Sequence, residues 1–114
     1  MNKFNIISLV LLCFTLSCNS VVNNQTADKS IPVTSSNPKA IEFYRKAQDN
    51  LFNQEFSESK SNFLNALRLD PNFILANLQI NESNSLVRLN FIEKARNQIE
   101  KGNDYEKLYL NFID

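Results

Sequence analysis

From Asn37 onward the apolar residues recur at intervals of three and four, the spacing of helices that bury one face. Ala40, Phe43, Ala47 and Leu51 define a first helix over about 38–53. Asn37 can cap it, and Pro38 suits its first position, where a missing amide hydrogen leaves nothing unpaired. After a turn at Gln54-Glu55, a second helix over about 57–69 presents Phe63, Ala66 and Leu67, with Phe56 at its start. Asp70 and Pro71 stop that helix and supply the cap and first residue of a third, over about 71–88, with Leu75, Leu78, Leu86 and Leu89 along one side. A fourth helix over about 91–101 carries Ile92, Ala95 and Ile99, and Gly102, the only glycine in the chain, follows as a left-handed C-terminal cap. Asn103 or Asp104 then opens a short fifth helix in which Tyr105, Leu108, Tyr109 and Phe112 share a face. The pattern predicts an all-α domain over 38–114.

Residues before Asn37 have a different character. The stretch from Asn19 to Asn37 is rich in Asn, Ser, Thr and Val, contains Pro32, and shows neither a helical nor an alternating apolar period. It reads as a flexible tether over 18–37, because such a composition buries too little surface to offset the entropy of ordering it. Ahead of it, Lys3 precedes an apolar core from Ile6 to Leu16, and the small residue Ser17 stands before Cys18. That is the order of a secretory signal over 1–17. Its apolar run is about half of the roughly 20 residues a membrane-spanning helix requires.

Thr15-Leu16-Ser17-Cys18 resembles the lipobox of bacterial lipoprotein signal peptides. Thr15 stands where that family usually has an aliphatic residue, and Leu12 before Cys13 is too large for the small-residue position. The resemblance implies lipidation at Cys18, cleavage before it, and a protein held to a membrane of the bacterial cell envelope through its acylated cysteine. With Cys13 lost in the leader and Cys18 consumed by the thioether, no pair of cysteines remains for an internal disulfide.

The helical region also contains an internal echo. Phe56, Ser59, Phe63 and Ala66 stand 36 residues ahead of Ile92, Ala95, Ile99 and Gly102, and Ala40, Tyr44, Ala47 and Leu51 fall more loosely against Ala76, Ile80, Ser83 and Val87. A helical hairpin repeated at such a period is the signature of a solenoid. Residues 43–71 resemble a tetratricopeptide repeat: Phe43, Ala47, Phe56, Ser59, Phe63, Ala66 and Pro71 fall on its signature positions, and Asn65-Ala66-Leu67-Arg68-Leu69-Asp70-Pro71-Asn72 is close to its usual ending. Lys46 and Asn50 replace apolar residues, Gln54 replaces the turn glycine, and the second repeat lacks a closing proline. The resemblance implies a short solenoid of about two hairpins plus a closing C-terminal helix. It also implies a concave groove for a peptide or partner helix. The groove positions fall on Ile41, Tyr44, Gln48, Leu51 and Phe52, and on Asn77, Ile80, Asn84, Val87 and Arg88; Tyr44, Gln48, Asn84 and Arg88 are the partner-binding candidates.

Composition narrows the chemistry. The chain has no histidine, its one mature cysteine would carry lipid, and a single glycine leaves no phosphate-binding loop. Carboxylates such as Glu55 and Glu58, or Glu93 and Glu100, stand beside Lys60, Lys94 and Lys101 and read as solvated helix faces. No catalytic site, metal or cofactor is expected. Removing the leader with Lys3 leaves 11 Lys and Arg against 12 Asp and Glu, a net charge of −1 without a basic cluster. Nucleic acid is therefore set aside, since binding it requires clustered cations on several phosphates. Two functions remain: a membrane-anchored, non-catalytic protein-protein interaction module, or a surface-displayed structural or host-interacting lipoprotein without a peptide groove. The apolar face of the last helix offers a route to self-association.

Overall fold

A computed structural model describes residues 30–114. The leader, Cys18 and the tether through residue 29 lie outside the described residues. Among these residues there are five α-helices, one short 3-10 turn and no strand. The helices are α1 (Pro38–Phe52), α2 (Phe56–Leu69), α3 (Ile74–Gln79), α4 (Ser85–Arg96) and α5 (Asp104–Ile113), with the 3-10 turn at Ile99–Lys101.

Helices α1 and α2 form the most extensive pair. The Asn37 side chain caps α1 by accepting from the amides of Lys39 and Ala40, both at 3.1 Å, and donates from Nδ2 to the Leu69 carbonyl at 3.3 Å. The start of α1 is thereby held against the end of α2, so the pair is antiparallel. The far end of α1 closes in a Schellman motif: the Gln54 amide donates to Leu51 O at 3.0 Å and the Glu55 amide to Asn50 O at 2.8 Å. That geometry requires a left-handed residue, and Gln54 supplies it at φ 64°.

Ala40, Tyr44 and Ala47 of α1 and Ser59, Phe63 and Ala66 of α2 are buried. Small residues at Ala47, Ser59 and Ala66 let the backbones approach, and Ser59 Oγ donates to the Ala47 carbonyl at 2.9 Å. The Tyr44 ring lies tilted against Phe63 and Phe73, with centroids 5.9 and 4.9 Å away. Such tilted pairs add to the area they bury.

The second half departs from the pattern read in the sequence. In place of one helix over 71–88 there are two, because Asn81, Ser83, Asn84 and Ser85 offer the backbone side-chain partners that compete with helical bonds. Asn84 ends the competition by capping α4, accepting from Leu86 N at 3.0 Å and Val87 N at 3.2 Å. Asn81 Nδ2 donates to Phe56 O at 3.0 Å, and Glu82 pairs with Lys60 at 2.8 Å, so the break is pinned to α2. Helix α3 also starts later than expected. Asp70 accepts from Asn72 N at 3.1 Å, which makes Pro71-Asn72 a turn and moves the helical start to Ile74.

Five consecutive residues of α3, Ile74 to Leu78, are buried, so this helix runs through the core instead of lying on it. The expected stripe is split accordingly. Leu75 and Leu78 are interior, while Leu86 and Leu89 on α4 are 77% and 54% exposed. Helix α4 begins well before the predicted 91, which also shifts it out of the 36-residue correspondence with α2.

Two further differences concern the ends of the helical region. Gly102 is extended, at φ −73° and ψ 156°, not left-handed. It is needed for space: a Cβ there would meet Ile99 O at 3.0 Å, Glu106 Oε2 at 3.1 Å and Ile74 Cδ1 at 3.1 Å. The second difference is that residues 31–37, assigned by composition to the tether, belong to the same compact unit as the helices. Ile31 and Val33 pack on the core, and Ser35 Oγ donates to Asp70 Oδ2 at 2.6 Å. Their alternation of half-buried and exposed side chains is that of an extended segment lying on a surface.

Candidate functional site

Tyr44 and Gln48 sit one turn apart on α1 and converge on one acceptor. Tyr44 Oη donates to Gln79 Oε1 at 2.8 Å and Gln48 Nε2 donates to the same oxygen at 3.3 Å. Gln79 ends α3, so the pair links the first hairpin to the break that follows α3. Tyr44 has no exposed surface, which corrects its placement on an open groove: its ring fills the gap between Phe63 and Phe73, and only its hydroxyl reaches a polar partner. Burial pushes the phenol well above its ordinary value, opposed in part by the Arg45 guanidinium over its ring.

Asn84 and Arg88 lie apart from that pair, on the first turns of α4. Asn84 is exposed and occupied as the N-cap. Arg88 is half-buried and donates from Nη1 at 3.4 Å to the Ile80 carbonyl, which also accepts from Glu82 N at 3.0 Å. Asn77 and Ile80, placed on the groove by the 36-residue offset, are buried instead. The four candidates therefore do not line one continuous surface. Gln48, Gln79 and Arg88 carry half-exposed polar groups, with Tyr44 as the support beneath.

Glu106 escaped the sequence reading, and its side chain accepts three hydrogen bonds. It is fully buried at the start of α5, where its carboxylate completes a capping box with Asn103. Oε2 accepts from Asn103 N at 2.9 Å and from the Thr34 hydroxyl, and Oε1 accepts from Thr34 N at 3.0 Å. Asn103 Nδ2 also donates to Pro32 O at 3.2 Å, and Arg45 Nη2 donates to Ile31 O at 2.7 Å. The interval Asn103-x-x-Glu106 is a capping-box signal that could have identified the carboxylate, and Ile31-x-Val33 is a short alternation that could have placed the segment.

Two cavities border these features. One, of about 230 Å³, is lined by Thr34, Ser35, Ser36, Asp70, Asn72, Ile74, Gln98 and Lys101. Asp70 is already engaged by Ser35 and Asn72, and Lys101 Nζ by Gln98 Oε1 at 3.4 Å, so the polar lining is largely self-satisfied. The other, of about 400 Å³, is an apolar cleft on α5 formed by Tyr105, Leu108, Tyr109 and Phe112. Leu108 and Phe112 are 68% and 85% exposed there, while burial raises the Tyr109 phenol, with Tyr105 adding to the shift.

Among the described residues, no three His, Cys, Asp or Glu side chains group as metal ligands, and no helix is long and apolar enough to cross a membrane. No protein-family model, curated protein or solved structure matches the chain.

Proposed function

We propose that the protein is a lipid-anchored component of a bacterial cell envelope that acts, without catalysis, as a protein-protein interaction module built on tetratricopeptide-like hairpins. The anchor rests on Thr15-Leu16-Ser17-Cys18 behind its apolar leader. The hairpin reading is supported by α1 and α2, where Ala47, Ser59, Phe63 and Ala66 make the close contacts their signature positions imply. The observation that carries an interaction role is the outer face of α4, where Leu86 and Leu89 stand one turn apart and uncovered. In a stacked array that is a face on which a further element packs, because each hairpin covers its neighbour.

The test is affinity capture from detergent extracts with the wild type and with Leu86→Asp plus Leu89→Asp. Partner recovery unchanged by the double variant dismisses the α4 face, and a Cys18→Ser protein that stays in the membrane fraction dismisses the lipid anchor. The burial of Tyr44 supports the second reading, display without a groove. Protease treatment of intact cells separates the two: cleavage before residue 31 indicates outward display, and protection indicates an internal envelope partner.

A further inference from the structure

We infer that the exposed face of α5 docks on the surface of the lipid bilayer that anchors the chain, so that the helical domain is held in one orientation at the membrane. The inference rests on the lipid anchor at Cys18 proposed above. Three observations support a bilayer as the occupant. The first is where the anchored chain arrives. Residues 19–30 alone separate Cys18 from Ile31, and a chain of that length reaches at most about 43 Å. The segment they lead into is fixed at the first turn of α5: Pro32 O accepts from Asn103 Nδ2, and Thr34 binds Glu106. The chain from the anchor thus meets the helical domain at the beginning of α5 and at Arg45 of α1, whose Nη2 donates to Ile31 O at 2.7 Å.

The second observation is the size of the face. Leu108 and Phe112, 68% and 85% exposed, make with the outer parts of Tyr105 and Tyr109 a face of four side chains, whereas a stable protein complex engages roughly 20–30 residues on each partner. A patch of that size is weak between freely diffusing molecules. It suffices where an anchor already holds it beside its partner, because confinement raises the effective concentration. The third observation is composition. The face combines an aliphatic residue, a phenylalanine and two tyrosines whose hydroxyls can remain in water, the mixture favoured at a lipid-water boundary. Lys107 is the one cation on α5, and Arg96 near its end is paired with Asp114, so uncharged lipid is a sufficient surface.

The chain has no tryptophan, so a single one reports on its own position. In the full chain carrying Cys13→Ser, a maleimide phospholipid coupled to Cys18 supplies the anchor whether or not cells acylate that cysteine. Acylation itself is read separately from the mass of protein purified from cells. With Phe112→Trp in phosphatidylcholine vesicles, docking is expected to shift the emission to the blue and to give at least about twofold quenching by lipids brominated along their acyl chains. Phe52→Trp, at a position 89% exposed on the opposite hairpin end, is expected to show neither. Leu108→Trp repeats the measurement should Phe112→Trp disturb folding. Equal quenching at 52 and 112, or a blue shift that grows with the density of protein on the vesicle and is insensitive to bromine, overturns the inference; the latter identifies a second copy as the occupant.

Discussion

The backbone amide of Thr34 donates to Glu106 Oε1 at 3.0 Å, joining an extended segment ahead of the first helix to the opening turn of the last, 72 residues away. The same carboxylate caps α5 through Asn103 N. One buried side chain thus closes the helical region on itself. Removing it takes the carboxylate from the Thr34 amide and leaves the Asn103 amide only the Thr34 hydroxyl at 3.3 Å, and bonds to a charged acceptor are worth more than the mean hydrogen bond. Glu106→Ala is expected to lower unfolding free energy by about 2–4 kcal/mol and Thr34→Val by about 1 kcal/mol, read from urea midpoints at unchanged m. The double variant should cost no more than Glu106→Ala alone, since both act on one contact. Full additivity of the two would remove the coupling argued here.

Tyr44 governs the alkaline limb of stability. Burial holds its phenol above the ordinary value of 10.0, so the folded chain keeps the proton where the unfolded chain loses it. A group raised in the folded state contributes fully below its unfolded value and is lost as pH rises past it, so unfolding becomes easier above about pH 10. Tyr109 is raised by burial too and adds in the same direction. Tyr44→Phe removes the bond to Gln79 Oε1 and should cost about 1 kcal/mol at neutral pH. The same change should flatten the decline above pH 10 by up to about 1.4 kcal/mol per pH unit. A variant whose alkaline slope equals that of wild type would show that another group carries the titration.

How far the fold could be read in the sequence depended on where each backbone group found its partner. Helices α1 and α2 were legible nearly to the residue, because Asn37, Pro38 and a regular apolar stripe all agree and their partners are local. The region from Pro71 to Arg96 was not. Its apolar spacing permits one helix over 71–88, and only the turn at Asp70 and the cap at Asn84, with Lys60 holding Glu82 from another helix, decide for two. Residues 31–37 were missed for a similar reason. Their composition is that of a coil, and what orders them is a set of donors and acceptors on Asn103, Glu106 and Arg45 far along the chain. Of the expected contact residues, Gln48 keeps half-exposed polar surface, whereas Tyr44 faces inward because Phe73 and Phe63 leave an aromatic gap that periodicity could not reveal.

Gly102 offers a test of space against backbone conformation. Its φ of −73° is open to any residue, so a left-handed cap is not what excludes a side chain. The obstacle is contact: a Cβ would press on Ile99 O and on the Glu106 oxygen that holds Asn103. Gly102→Ala is expected to cost about 1–3 kcal/mol through displacement of these groups. Gly102→Asn distinguishes the explanations, because asparagine tolerates a left-handed backbone but is larger than alanine. It should be at least as damaging as alanine; a milder effect would restore the cap explanation.

Gln54 presents the converse case, a side chain where the backbone calls for glycine. At φ 64° it closes the Schellman turn after α1, with its own amide and that of Glu55 donating back to Leu51 and Asn50. A left-handed conformation costs a residue bearing a Cβ about 1–2 kcal/mol, and glycine avoids that penalty while losing more chain entropy on folding. The two terms oppose, and the conformational one is larger at a position fixed in the left-handed region. Gln54→Gly is therefore expected to stabilise the protein by about 0.5–1 kcal/mol, a rise of several degrees in midpoint for a domain of this size. Gln54→Asn should gain less, and Gln54→Val should lose stability because a β-branched side chain is least tolerant of positive φ. Thermal melts of the three variants give the order directly. A ranking in which valine matches wild type and glycine destabilises would mean that the turn does not hold its left-handed geometry in solution.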